Sequence, residues 1–134
     1  MKNALLEQNR KKLLKKAAEA YFDGLRTKSF SLIPFSDDII FRAPIAPGGV
    51  YEPIVGILNL YERWWQPLEP FLEGISITVL DHFYNEEQTS IISRANIKLR
   101  FSGINLRVAD RFQIDDAGNI TEQENHFDAS PLRR

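Results

Sequence analysis

Residues 75–114 read ISITVLDHFYNEEQTSIISRANIKLRFSGINLRVADRFQI, and the spacing of the apolar side chains in this stretch decides the fold. Ile75, Ile77 and Val79 alternate with Ser76, Thr78 and Leu80, the period of two that marks a strand with one buried face. The strand runs to about Tyr84, and Asn85-Glu86-Glu87 turns it. Ile91, Ser93, Ala95, Ile97, Leu99 and Phe101 then share one face, with Ile92, Arg94, Asn96, Lys98 and Arg100 on the other. Ser102-Gly103 makes a tight hairpin turn. Ile104, Leu106, Val108, Asp110, Phe112 and Ile114 form one face of the next strand. Asp115-Asp116-Ala117-Gly118-Asn119 turns once more, into a last strand from Ile120 to Asp128. Four strands joined by short turns make an antiparallel meander.

Upstream the period changes to that of a helix. From Ala4 to Leu25 the apolar positions Leu14, Ala18, Tyr21 and Leu25 recur at steps of three and four, which lays one stripe along a helix. Lys11, Lys12, Lys15 and Lys16 lie mostly off that stripe. Gly24 and Arg26-Thr27-Lys28-Ser29 weaken the helix end, and Ser29 can N-cap a short second helix through Leu32-Ile33, stopped by Pro34. Asp37-Asp38 signals a turn, and Ile39 to Ala43 reads as a strand closed by Pro44. A loop rich in proline and glycine follows to Gly56; a loop of that length often carries function. A third helix spans about Ile57 to Gln66, with Leu58, Tyr61 and Trp65 on one face, and Pro67 and Pro70 end or kink it. Helices that precede an antiparallel sheet predict an α+β fold, with the helices packed on one face of the sheet.

Composition narrows the function classes. The 134 residues amount to roughly one domain, and a chain of this mass buries about two-thirds of its unfolded surface, enough for one core. Cysteine is absent, which removes disulfides, thiolate metal sites and cysteine nucleophiles. A net charge of −1 removes the electrostatic case for a nucleic-acid partner. No apolar run is long enough to span a membrane, and the charged N-terminus does not read as a secretory signal, so a cytoplasmic protein is expected. Residues 1–16 carry six Lys or Arg, and 115–128 carry five acids; this asymmetry reads as two solvated faces. His82 and His126 stand on strands without carboxylates at ligand spacing, so neither a metal nor another cofactor is expected.

The order of elements, together with Ala20-Tyr21-Phe22-Asp23-Gly24-Leu25, Phe35-Ser36-Asp37-Asp38 and the closing DRFQIDDAGNITEQENHFD from Asp110 to Asp128, resembles the nuclear transport factor 2-like superfamily over nearly the whole chain. That superfamily includes ketosteroid isomerase, SnoaL-like polyketide cyclases and limonene-1,2-epoxide hydrolase. The resemblance implies a cystatin-like roll: a cone-shaped, curved, mixed sheet packed against about three helices. It also implies a pocket between the sheet and the first helices, and often a homodimer through the outer sheet face.

Carried over residue by residue, the resemblance sets Tyr21 at the tyrosine position of the ketosteroid isomerase oxyanion hole and Asp110 at its acidic position. The base position falls on Ala43, whose methyl group takes no proton. The epoxide hydrolase pattern sets Arg94 at its arginine, but Asn96 and Asn125 stand where that enzyme has its two carboxylates, and an amide is no general base near neutral pH. SnoaL-like cyclases take their acid from the last-strand position too, so Asn125 departs from them as well. What remains is a set of polar groups suited to a carbonyl, hydroxyl or carboxylate.

The candidate ligand-binding residues are therefore Tyr21, Trp65, Arg94, Asn96, Asp110 and Asn125, around a small apolar, oxygen-bearing ligand such as a terpenoid, steroid or polyketide. An isomerase, cyclase or hydrolase working through Asp110 or Asp81 with Tyr21 is the alternative; Asp81 shares the face of Ile77, Val79 and Phe83. A third reading is a protein-interaction adaptor. Alternation sets Arg94 and Asn96 opposite the apolar row of their strand, whereas the resemblance points them inward. Both hold if that row forms a homodimer interface on the outer face, or if a bulge switches faces mid-strand.

Overall fold

The alternating stretch folds as its period requires. In the computed structural model, which describes residues 2–100 and 102–133, the strands are β1 (Phe35–Arg42), β2 (Ile54–Val55), β3 (Ser76–Tyr84), β4 (Ser90–Lys98), β5 (Asn105–Ile114) and β6 (Ile120–His126). They form one six-stranded sheet in the order β2-β1-β6-β5-β4-β3. The meander β3 to β6 is antiparallel, and β1 joins β6 in parallel, so the sheet is mixed. β1 is longer than predicted: Asp37-Asp38 lies within the strand rather than in a turn before it.

Two irregularities decide which side chains face the core. In β3, Val79 pairs with Ala95 but Asp81 pairs with Arg94, so Leu80 is an extra residue without a partner. Ile77 and Val79 face inward before this bulge; after it, Asp81 and Phe83 face outward and His82 and Tyr84 take the inner side. In β6, Ile120 pairs with Ile114 and Glu122 with Gln113, which leaves Thr121 as the extra residue. Without that bulge Glu122 and Glu124 would share the inner face with Ile120; with it, Gln123 and Asn125 do.

Helix α1 (Lys2–Thr27) lies across the concave face. The predicted stripe of Leu14, Ala18, Tyr21 and Leu25 is buried throughout. Tyr21 and Phe22 meet Phe112 of β5 edge-on, with ring centroids 5.3 and 6.3 Å apart. Arg10 ties the helix to two strand turns, donating to the carbonyls of Gln88 and Asp115, each at 3.2 Å. Arg26 donates to the Ile77 carbonyl at 3.0 Å, which blocks part of the otherwise open edge of β3. Beyond α1, residues Phe30–Leu32 make a single 3-10 turn in place of the predicted short helix, and the Ser29 hydroxyl caps nothing.

The third helical segment is longer and less regular than its sequence suggests. It begins as α2 (Ile57–Leu60), widens into a π-helical stretch over Tyr61–Trp65, returns to the α form in α3 (Gln66–Leu68) and tightens to a 3-10 turn over Glu69–Leu72. Pro67 has no N–H to give the carbonyl four residues back, and its ring crowds that carbonyl. The wider turn accommodates both effects, so the proline falls inside the segment rather than ending it. More residues per turn also mean a smaller angle between neighbours, and Trp64 and Trp65 are both buried.

Candidate functional site

Between the inner sheet face, α1 and the third helical segment lies a cavity of about 290 Å³. Its walls are almost wholly hydrocarbon, with Leu25, Leu72, Ile97, Leu106, Val108 and the Trp64 ring among them. Trp64 stacks on Tyr21 (centroids 6.2 Å apart, planes 19° off parallel) and leans on Phe41 at 4.5 Å. The outer end is rimmed by the exposed side chains of Ile45 and Phe71 and by Leu132 of the C-terminal turn. Ile45 belongs to the predicted long loop, which Arg42 fastens by donating to the carbonyls of Val50 and Tyr51 at 2.8 and 3.2 Å.

Among the described residues, the polar side chains that line the cavity, apart from the Trp64 indole, are Tyr21, Asp110 and Asn125, gathered at its buried end. β5 and β6 set Asp110 directly opposite Asn125, and α1 brings Tyr21 over them. Asn125 Nδ2 donates to Tyr21 Oη at 3.4 Å, and Gln123 Nε2 donates to Asn125 Oδ1 at 2.9 Å. Asp110 accepts the backbone N–H of His126, while its Oδ1 is buried without a partner among the described residues. Among the described residues no Lys or Arg lines the cavity.

Electrostatics follow from this dryness. Burial pushes the Asp110 carboxyl well above the ordinary carboxylate range, against the smaller opposing effect of the His126 N–H. The group is therefore held toward its neutral acid form, in which it donates a hydrogen bond. Burial also pushes the Tyr21 hydroxyl well above its ordinary range, and the nearby Asp110 adds to this, while the Asn125 and Gln123 amides pull the other way.

The sequence-predicted residues divide into two groups. Tyr21, Asp110 and Asn125 meet at one end of the cavity. Arg94 and Asn96 do not: both are exposed on the outer sheet face, because the apolar row of β4 (Ile91, Ala95 and Ile97) faces inward and packs the core. The inward reading of Arg94 and Asn96 is corrected accordingly, as is the assignment of that apolar row to a dimer interface; Phe101, at its end, lies outside the described residues. Arg94 instead grips Asp81 with both ends of its fork, at 2.8 and 2.7 Å. Asp81 is thus no buried acid, since the Leu80 bulge turns it out, and the Arg94 guanidinium holds its carboxyl below the usual range. Trp65 is buried away from the cavity, its indole N–H donating to Glu69 at 2.7 Å, and Trp64 takes the wall position.

Sequence reading passed over Gln123, and of the two adjacent tryptophans that could wall a pocket it took Trp65 rather than Trp64. The two-residue spacing of Gln123 and Asn125 on one strand face was a usable signal for the first. The helical period groups Trp65 with Leu58 and Tyr61 and so favours it, but the π-helical turn sets Trp64 on the cavity wall instead. Ala43, which the resemblance sets at the base position of ketosteroid isomerase, does line the cavity and carries no acid. Among the described residues no cluster of His, Cys, Asp or Glu is arranged to hold a metal ion, and no helix is long and apolar enough to cross a membrane.

No family model and no curated protein matches the chain. Solved structures do. An NTF2-like protein from Anabaena variabilis superposes with a TM-score of 0.75 at 22% identity, covering 90% of each chain. SalBIII, an epoxide hydrolase/cyclase-like enzyme of pyran ring formation in the polyether salinomycin, gives a TM-score of 0.69 at 13% identity, covering 92% of this chain and 94% of its own. RV0760c from Mycobacterium tuberculosis, in complex with estradiol-17beta-hemisuccinate, gives 0.63 at 12% identity, covering 88% of this chain and 95% of its own. The fold is the NTF2-like one that the sequence resemblance implied.

Proposed function

We propose that this chain binds an uncharged, largely apolar small molecule and holds one acceptor oxygen of it at the buried end of the cavity, with Tyr21 and Asp110 as donors. The observation that carries this reading is Asp110: a buried carboxyl at the end of a hydrocarbon-walled cavity, with one oxygen unpartnered and no Lys or Arg in the lining among the described residues. Stability alone does not favour such a group, since an unpaired buried polar atom costs about 1–3 kcal/mol. A ligand carbonyl would supply the missing partner. The volume suits a skeleton of a few fused rings or an equivalent terpenoid, steroid or polyketide-like chain, and the ligand named for RV0760c belongs to that chemistry.

The reading is one of binding rather than of the reactions of the enzymes it resembles. Ala43 and Asn125 occupy positions where those enzymes keep carboxylates, and neither side chain can accept a proton near neutral pH. An acid-assisted isomerase, cyclase or hydrolase is the second reading, favoured by the proton that Asp110 retains; turnover of an epoxide or ketosteroid panel that disappears in Asp110→Asn would establish it. A protein-interaction adaptor calls for a cone filled by its own side chains, and the open volume argues against it. We also propose a homodimer through the outer sheet face, now on different residues: Leu80, Phe83 and Ile92 are exposed there beside the Arg94–Asp81 pair.

The test uses prodan, a planar aromatic ketone whose emission moves to the red when its carbonyl accepts hydrogen bonds. Saturable binding is expected, with emission redder than in hydrocarbon solvent. Loss of affinity by about tenfold in Tyr21→Phe and in Asp110→Leu is expected, the worth of roughly one hydrogen bond each. Absence of binding, or binding indifferent to both changes, would overturn the proposal.

A further inference from the structure

Gln123 is fully buried on the inner face of β6, two residues before Asn125, yet it does not line the cavity. An amide in this place is an expensive choice. Its Oε1 is buried with no partner among the described residues, where a leucine would pack without that cost. Its Nε2 donates to Asn125 Oδ1 at 2.9 Å, and the same amide also reaches the Tyr21 hydroxyl.

The bond to Asn125 has a directional consequence. The Asn125 amide can turn by half a rotation and present either its oxygen or its nitrogen to Tyr21. With Oδ1 engaged by Gln123, the nitrogen is the end that remains, and Nδ2 donates to Tyr21 Oη. A tyrosine hydroxyl has a single hydrogen. When its oxygen accepts from an amide, that hydrogen must point elsewhere, and the cavity lies on the open side. Were Asn125 reversed, its oxygen would take the Tyr21 hydrogen, and a bound carbonyl would lose one of its two donors.

We infer that Gln123 is a positioning residue: by its own amide and through Asn125 it fills the acceptor side of the Tyr21 hydroxyl, so that Tyr21 donates into the cavity. This rests on the ligand-binding reading above and specifies it.

The experiment is a double-mutant cycle on the full chain with prodan as probe. Gln123→Met, close in size and without polar hydrogens, is expected to shift the bound emission to the blue and to weaken binding about fivefold to tenfold. The pair Gln123→Met with Tyr21→Phe is expected to be no weaker than Tyr21→Phe alone, since both remove the same donor. A merely structural role would lower affinity without moving the emission, and its effect would add to that of Tyr21→Phe. Either result overturns the inference while leaving the pocket reading intact; no binding by the unaltered chain overturns both.

Should Gln123→Met fail to fold, nuclear magnetic resonance on the unaltered protein decides. One side-chain amide proton of Gln123 is expected to exchange slowly, and the Asn125 amide signal is expected to move when prodan is added. Fast exchange of both Gln123 protons contradicts the inference.

Discussion

Asp110 and Asn125 stand opposite one another on adjacent strands, both turned inward; Asn125 has its one side-chain oxygen satisfied, whereas Asp110 keeps one of its two oxygens without a partner among the described residues. An acid and an amide in register define what this site can do. It can donate hydrogen bonds from a dry surface, and it has no strong base with which to remove a proton.

Asp110 should make stability depend on pH with a sign opposite to that of a salt-bridged carboxylate. Its pKa in the fold is raised above the ordinary 3.8, so the native state keeps a proton that the unfolded chain releases. Its contribution is complete below that ordinary value and is lost as pH rises through the raised one, at up to about 1.4 kcal/mol per pH unit in between. Denaturant unfolding across this range is expected to show the decline in the wild type and a flatter profile in Asp110→Asn. Equal slopes would show that Asp110 is not held as the acid.

Ala43 offers a way to close the cavity without touching its polar end. Its methyl group is on the wall, and Ala43→Leu projects three more carbons into free volume. Probe binding is expected to fall more than tenfold, while stability changes by about 1 kcal/mol or less in either direction, because the added carbons fill space rather than displace packed atoms. Undiminished binding in Ala43→Leu would move the ligand out of this cavity.

The outer face should be silent in binding. Arg94→Ala and Asn96→Ala are expected to leave both the probe affinity and its emission unchanged, since these side chains point away from the cavity. A tenfold loss in either variant would restore the inward reading that the structure corrects.

A dimer, if it forms on that face, depends on apolar side chains of β3 and β4 rather than on the ion pair. Phe83→Lys introduces a charge at a 56% exposed site and is expected to convert a sedimenting dimer into a monomer with little change in the thermal midpoint. A wild-type monomer at micromolar concentration would remove the dimer from the account.

Much of this architecture was readable from spacing alone. The stripe of Leu14, Ala18, Tyr21 and Leu25 and the alternation from Ile104 to Ile114 describe faces that the fold buries as read. What escaped was decided by one-residue irregularities. Val79-Leu80 and Ile120-Thr121 are unremarkable pairs in a strand, yet the bulges at Leu80 and Thr121 choose whether Asp81, Glu122 or Gln123 looks inward. The π-helical turn before Pro67 likewise decides between Trp64 and Trp65. Arg94 and Asn96 were misplaced for a different reason. A motif carried over from a resemblance brought its inward orientation with it, against the plain alternation of Ile91, Ala95 and Ile97, and the alternation was right.

The central claim is that two neutral donors converge on one ligand oxygen, and the carbonyl stretch of bound prodan in the infrared reads this most directly. The stretch should fall below its hydrocarbon-solvent frequency in the wild-type complex, recover part of the way in Tyr21→Phe or Asp110→Leu, and recover fully when both are changed. A bound carbonyl already at the hydrocarbon frequency in the wild type would contradict it.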